Sequence, residues 1–342
     1  MKRWKRFLAA ALAASMLTGC GIPQKDSSVY QVGMVTGTGG VNDQSFNQLS
    51  WEGLESLAEH TGAKVSYLES KQASDFLTNL DRLTDTYCDL IWGIGFQIAD
   101  SVQTIAKTNA DMNFAIIDVA LDECPHNITG VVFRAEEPSF LVGYVAGMST
   151  KTGKVGYVGP MKSFNNDKFQ YGYLAGVEYA AYTLGKDIEI QQQFAESYSD
   201  AAKAKAIVNK MYSNGCDIIF HSAGGAGYGV IESAKENGQF VIGVDTDQSY
   251  LAPDNVLTSA LKNVDIAIEL VSTMAMEGEK IGGQNFSYGL EEKCVGILEE
   301  NPNMEDSVYE ETMKVKDLII SGEIVPPATE DEYNAFLEGL NN

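Results

Sequence analysis

Apolar positions along this chain form short unbroken runs, separated by longer stretches in which apolar residues recur at helical spacing. Runs at 31–35, 64–68, 90–94, 113–118 and 130–133 predict strands buried on both faces, and so do 155–158, 189–194, 217–222, 240–245 and 256–260. The stretches between them predict helices, among them 45–60, 76–87, 98–109, 169–184, 201–213 and 228–237. Strand and helix in alternation build right-handed βαβ units, so the pattern predicts an α/β fold of doubly wound parallel sheets.

The two series of strands repeat each other. Val32-Gly33-Met34-Val35 matches Val155-Gly156-Tyr157-Val158, and Phe46 matches Phe169, both at an offset of 123. Cys88-Asp89-Leu90-Ile91 matches Cys216-Asp217-Ile218-Ile219 at 128, Gly95 matches Gly224 at 129, and Asp118 matches Asp245 at 127. A steady offset across these landmarks predicts a duplicated lobe. The lobes are expected to comprise 30–150 with 258–280, and 151–257 with 281–342, joined by a hinge that the chain crosses more than once. Parallel sheets carry their binding loops at the carboxyl ends of the strands. Segments 36–47, 95–98, 118–121, 160–169, 195–200, 223–228, 245–248 and 259–263 therefore face a common crevice between the lobes. Cys88 and Cys216, each just before a strand, read as buried structural thiols.

The first residues follow a different pattern. Lys2, Arg3, Lys5 and Arg6 precede an apolar run from Phe7 to Leu17, about half the length of a spanning helix. The run ends in Leu17-Thr18-Gly19-Cys20, which resembles the lipobox of bacterial lipoproteins. That resemblance implies that 1–19 is a signal peptide and that Cys20 becomes the N-terminus, diacylated on its sulfur. Small, polar residues through 20–29 then read as a tether. The full chain of 342 residues carries 47 Asp+Glu against 24 Lys+Arg, a net charge of -23, and removing 1–19 takes away four of the positive residues. Such an acid excess disfavours nucleic acid and phosphorylated ligands as partners. Cys88, Cys124, Cys216 and Cys294 form no C-x-x-C pair, and with three His in all there is no zinc pattern. Four Cys allow three disulfide pairings, among which sequence does not choose.

The crevice segments hold the candidate chemistry. The glycines of 36–47 and of 223–229 (AGGAGYG) permit close backbone approach to a ligand, yet neither stretch has the G-x-G-x-x-G spacing of a dinucleotide loop. No G-x-S-x-G, H-E-x-x-H or Gly-Lys-[ST] motif is present. His60, His126 and His221 read as structural, and Trp51 as a core residue. Asp118 and Asp245, one per lobe at matching strand ends, suit either acid–base work or acceptance of ligand hydroxyls. With no nucleophile, metal or cofactor motif beside them, binding is the better reading. Phe46 and Tyr198 stand in polar loops at helix starts, where a ring can stack on a planar ligand. Phe169 shares the place of Phe46 in the repeat and is counted with the binding set. Lys262, just after the last strand of the series, can make a charge-assisted bond to a ligand oxygen.

These residues also carry a family resemblance. Asp43-Gln44-Ser45-Phe46-Asn47-Gln48 with Trp51-Glu52-Gly53 resembles the opening motif of the basic membrane protein (BMP) family of lipoproteins. The likeness continues through 93–100 (GIGFQIAD), 114–118 (FAIID), 223–229, 243–248 (GVDTDQ) and 257–264 (LTSALKNV), and covers 30–325. It implies a type I periplasmic-binding-protein fold and a receptor that captures a purine nucleoside, such as guanosine, inosine or adenosine, for an ABC permease and its ATPase. By the same resemblance Phe46 and Tyr198 sandwich the base, the Tyr standing where the family often has Phe. Asp43 and Asn47 read polar edges of the base, Asp118 adds a contact, and Gly224 and Gly225 admit the ligand to the backbone. Asp245 and Lys262 hold ribose hydroxyls, and Gly95-Phe96 borders the pocket. No cofactor is implied, and a monomer is expected. Gly159-Pro160-Met161 departs from the family in its Pro, and 162–167 is unusually polar for a cleft loop. Riboflavin- or sugar-type receptors and a ligand sensor are the alternatives within binding proteins. A secreted nucleoside hydrolase is the alternative among enzymes.

Overall fold

The computed structural model describes residues 29–340. The assigned signal peptide, Cys20 and all but the last residue of the tether lie outside the described residues. Along the chain come β1 (Gln31–Val35), α1 (Phe46–Thr61), β2 (Lys64–Leu68), α2 (Asp75–Thr84), β3 (Leu90–Gly93), α3 (Ala99–Thr108), β4 (Asn113–Ile117) and β5 (Ile128–Phe133). A second series repeats the order after one extra helix. It comprises α4 (Glu136–Ser149), β6 (Lys154–Gly159), α5 (Phe164–Leu184), β7 (Glu189–Phe194), α6 (Ala201–Ser213), β8 (Ile218–His221), α7 (Gly227–Asn237), β9 (Phe240–Asp245) and β10 (Val256–Lys262). The chain ends with α8 (Val264–Met276), β11 (Gln284–Tyr288), β12 (Val295–Ile297), α9 (Asp306–Ile320) and α10 (Glu330–Leu340).

Two six-stranded sheets result, ordered β2-β1-β3-β4-β5-β11 and β7-β6-β8-β9-β10-β12. The first five strands of each are parallel and occupy equivalent places. The repeat reaches the backbone itself, since Asp118 and Asp245, just past β4 and at the end of β9, share a left-handed φ of 66°. The sixth strands break it, because β11 runs parallel to β5 whereas β12 runs antiparallel to β10.

The division into lobes differs from the expected boundaries. Helix α4, placed by sequence in the first lobe, packs on α5 and α9 of the second. Its Gly143 and the Gly176 of α5 face the partner backbone so closely that a Cβ at Gly176 would lie 2.0 Å from the Phe140 carbonyl. Strand β10 lies wholly in the second sheet, although 258–262 had been given to the first lobe, and β11 completes the first sheet, although 284–288 had been given to the second. Helix α8 does pack on α1, where Gly53 lies against the backbone of Asp265. Its Ser272 accepts a 2.9 Å hydrogen bond from the buried Trp92 indole. The chain thus crosses between lobes after β5, after β10 and after β11. At the first and third crossings the Arg134 guanidinium joins Glu137 at 2.6 Å and Glu292 at 2.7 Å, binding the two segments together.

Cys88, Cys216 and Cys294 are buried, and none of the four described cysteines is in a disulfide. The histidines fill structural places: His60 meets Glu269 between α1 and α8, and His126 contacts the Ala110 carbonyl. His221 is sealed in β8, where burial lowers its pKa to about 4. Trp51 packs edge-on against Tyr67, away from the crevice.

Candidate functional site

The carboxyl ends of both sheets converge on a cleft of about 780 Å3, measured out to its open mouth. All eleven residues singled out from sequence for binding line it. Small-molecule sites are concave and mostly apolar with a few placed polar groups, and this lining of aromatic rings, glycines and a few charged side chains has that character.

Phe46 opens α1, and its ring lies over Gly95, whose φ of 91° is a conformation that favours glycine. Tyr198 precedes α6, and its backbone carbonyl accepts the Ala226 N–H at 2.9 Å. That bond folds the Gly224–Gly225 turn against the tyrosine, and with Gly224 at φ 54° only a residue lacking Cβ fits without strain. Phe169 lies in the second turn of α5, not at a helix start like Phe46. Helix α5 begins at Phe164, so more than half of the expected 160–169 loop is helical, its first turn capped by the Ser163 hydroxyl.

The charged groups of the cleft are held by partners within the protein. Asp43 Oδ1 accepts the N–H groups of Ser45 and Gln48, and its Oδ2 accepts the backbone and side-chain N–H of Asn47. Four bonds use the acceptor positions of a carboxylate. Asp43 therefore caps the N-terminus of α1, where a negative charge also meets the helix dipole, while standing in the lining of the cleft. Asn47 is likewise engaged, its Oδ1 accepting the Gly37 N–H at 2.8 Å.

Lys262 is the last residue of β10, not the first beyond it, and is 4% exposed. Its Nζ donates to both oxygens of Asp118 at 2.7 Å, from the second lobe to the first. The rings of Phe46, Phe133 and Phe169 surround the ammonium at 4.8, 5.1 and 5.8 Å. An ammonium has three N–H donors, so one is left for the cleft. Asp245 accepts a hydrogen bond from the Ser45 hydroxyl, again across the lobes. Burial pushes its pKa up to about 6; Lys262 and Ser45 act the other way, and the nearby carboxylates Asp43 and Asp118 add to the rise.

Further contacts join the lobes, among them the Tyr250 hydroxyl, which donates to Gln44 Oε1 at 2.6 Å. At the floor the Asn165 amide donates to the Asp118 carbonyl at 2.8 Å. The lobes are thus closed on each other. Sequence reading did not single out Ser45, Asn165, Asn166 or Ser222, all near or lining the cleft. The polarity of 162–167 was the one signal for the two asparagines. No group of His, Cys, Asp and Glu suited to a metal occurs among the described residues.

Comparison with known proteins bears on this geometry. Residues 30–330 match the family described as ABC transporter substrate-binding protein, PnrA-like. Basic membrane protein A of Borreliella burgdorferi is 38% identical, with 88% of each chain covered. The CD4+ T-cell-stimulating antigen of Listeria monocytogenes serovar 1/2a is 36% identical, over 94% of this chain and 99% of its own. Among solved structures, an ABC transporter solute-binding protein from Aeropyrum pernix K1 superposes with a TM-score of 0.81 at 26% identity, covering 91% of this chain and 97% of that one.

Proposed function

The chain belongs to the PnrA-like family of ABC transporter substrate-binding proteins, and on that premise we propose that its cleft captures a purine nucleoside for import. The observation that carries the reading is the pairing of Phe46 and Tyr198, one ring per lobe, with Asp245 and Lys262 in one closed cleft. Two rings suit a planar base, whose stacking contributes on the order of 1–3 kcal/mol per ring. Asp245 is the acceptor for ribose hydroxyls, and the remaining N–H of Lys262 is the donor. Three carboxylates against one ammonium favour a neutral nucleoside over its phosphates.

Membership in the family makes the protein an extracytoplasmic receptor rather than an enzyme. No described helix is long and apolar enough to cross a membrane. The Leu17-Thr18-Gly19-Cys20 sequence supports attachment through a lipid on Cys20, and two acyl chains suffice for stable anchoring. We take the receptor to act as a monomer that delivers its ligand to a permease. The test is direct: calorimetric titration with inosine, guanosine and adenosine should give saturable heat for at least one. No heat with any of them would overturn the nucleoside assignment.

The proton on Asp245 supplies a second test. A carboxylate accepts two hydroxyl hydrogens, and the neutral acid does not, so affinity should fall as pH drops through about 6, by roughly tenfold per pH unit for one proton. Folding stability should run the opposite way. A folded-state pKa raised above the ordinary value of 3.8 means that ionisation opposes folding. This group's contribution is therefore complete below about 3.8 and is lost as pH rises through about 6. Titrations and melting curves from about pH 4, near the ordinary value of 3.8, to about pH 7, above the raised value of about 6, should separate the two trends.

A further inference from the structure

The first turn of α5 holds the polar residues that set this cleft loop apart, and it looks in two directions. Asn165 and Lys168 are three apart, so they share a helix face. Both reach the first lobe: Asn165 Nδ2 donates to the Asp118 carbonyl at 2.8 Å, and Lys168 Nζ to the Phe133 carbonyl at 2.9 Å. Phe133 ends β5, at the first crossing between lobes. Asn166 and Phe169 share the adjoining face, about 100° around the helix. Phe169 lines the cleft, and Asn166 Nδ2 donates to the Tyr198 hydroxyl at 2.9 Å and to the Met161 carbonyl at 2.7 Å. Consecutive asparagines thus divide their work, one holding the opposite lobe and the other holding an aromatic wall of the site.

Each grip has a physical necessity behind it. The carbonyl of Asp118 belongs to a residue in a left-handed conformation, φ 66°, at the point where β4 turns into the cleft. A donor from the second lobe reaches it only when the lobes are together. Tyr198 is half-buried in the cleft wall, and burial pushes its pKa up to about 12. A buried hydroxyl without a partner is costly, and a ring tethered at its far end loses its freedom to swing. Asn166 answers both needs at 2.9 Å, with the Ser163 side chain as a second hydrogen-bond partner of the phenol. It is itself buried and fixed by the Ser163 cap and the Met161 carbonyl.

We propose that Asn165 and Asn166 are positioning residues that couple lobe closure to the orientation of Tyr198, so that the aromatic wall is set as the cleft shuts. The inference rests on the cleft being the ligand site, and it assigns neither residue a contact to the ligand. Closing brings Asn165 onto Asp118, seats the α5 turn, and presents Asn166 to the tyrosine. Opening releases the turn and with it the ring.

Stopped-flow kinetics with inosine test the coupling. Asn165→Ala should raise the dissociation rate about fivefold or more and leave association within about twofold, because the lost bond exists only in the closed form. Asn166→Ala should lower inosine affinity about tenfold in the otherwise unmutated protein. In a Tyr198→Phe background the same change should cost no more than about twofold, since no hydroxyl remains to satisfy. Two arms need no nucleoside. Asn166→Ala should lower the melting temperature more with Tyr198 than with Tyr198→Phe, and Asn165→Ala should enlarge the ligand-free radius of gyration. An unchanged dissociation rate and radius in Asn165→Ala would overturn the closure grip. Equal costs of Asn166→Ala in both backgrounds would overturn its action through Tyr198. If inosine fails to bind the unmutated protein, the nucleoside assignment falls, while melting and scattering still decide the coupling.

Discussion

Lys262→Met is expected to weaken nucleoside binding by a factor of roughly 10² to 10³ while moving the melting temperature by only a few degrees. The reason lies in where the charge sits. Lys262 and Asp118 form a buried pair, and its side chains are 5% and 13% exposed. Removing one member of such a pair ordinarily costs about 3–5 kcal/mol, because the other is left charged and dry. Here the two belong to different lobes, so the protein has an escape. Opening the hinge rehydrates Asp118 without unfolding either lobe, and the cost falls on closure instead of on the fold. At about 1.4 kcal/mol per decade, the penalty translates into that loss of affinity. Methionine is long and apolar enough to fill the space among Phe46, Phe133 and Phe169, which removes packing as a confounder. Adding Asp118→Asn to Lys262→Met should recover a large part of the loss, since the stranded charge disappears. Calorimetry beside thermal melting decides the matter. A drop in melting temperature matching the drop in affinity would show that the pair serves the fold and not closure.

The second large effect is expected at Asp245. Asp245→Asn should weaken binding by roughly 10- to 100-fold, the equivalent of about 1.5–3 kcal/mol for a hydrogen bond to a charged group. The amide keeps an oxygen for the Ser45 hydroxyl but no longer accepts two ligand hydroxyls. Stability at neutral pH should hold or rise, because burial already opposes the charge that the substitution removes. The variant should also lose the weakening of affinity below about pH 6, which assigns that proton. If Asp245→Asn binds inosine as the unmutated protein does, the carboxylate is not the hydroxyl acceptor.

These two aspartates show how far the chain could be read in advance. Both were found from the repeat alone, since a run of apolar residues ending in Asp at a fixed offset is a local pattern. Their partners were not. Asp118 meets Lys262 across 144 residues, and Asp245 meets Ser45 across 200. No spacing rule links groups on opposite lobes, because the hinge that apposes them is set by packing. Asp43 carries the same lesson at short range. Its acidic side chain in a cleft loop suggests ligand recognition, while the local backbone turns it onto four donors of its own helix.

The ends of the chain were the least legible. Strands β11 and β12 are short, with five and three residues, and lie at sheet edges, so their sheet is decided by which edge lies open. The same holds for α4, whose apolar surface extends around most of the helix and names no single partner. Sequence by itself determined the alternation, the duplication, the convergence of loops on one cleft, and the residue types that line it. These follow from periodicity and chain order, which are local. Tertiary structure alone decided which lobe each terminal element joins, which charges pair, and how the lobes are held closed. Those depend on the meeting of surfaces far apart in the chain, where burial and the need to satisfy every buried polar group select one arrangement among many.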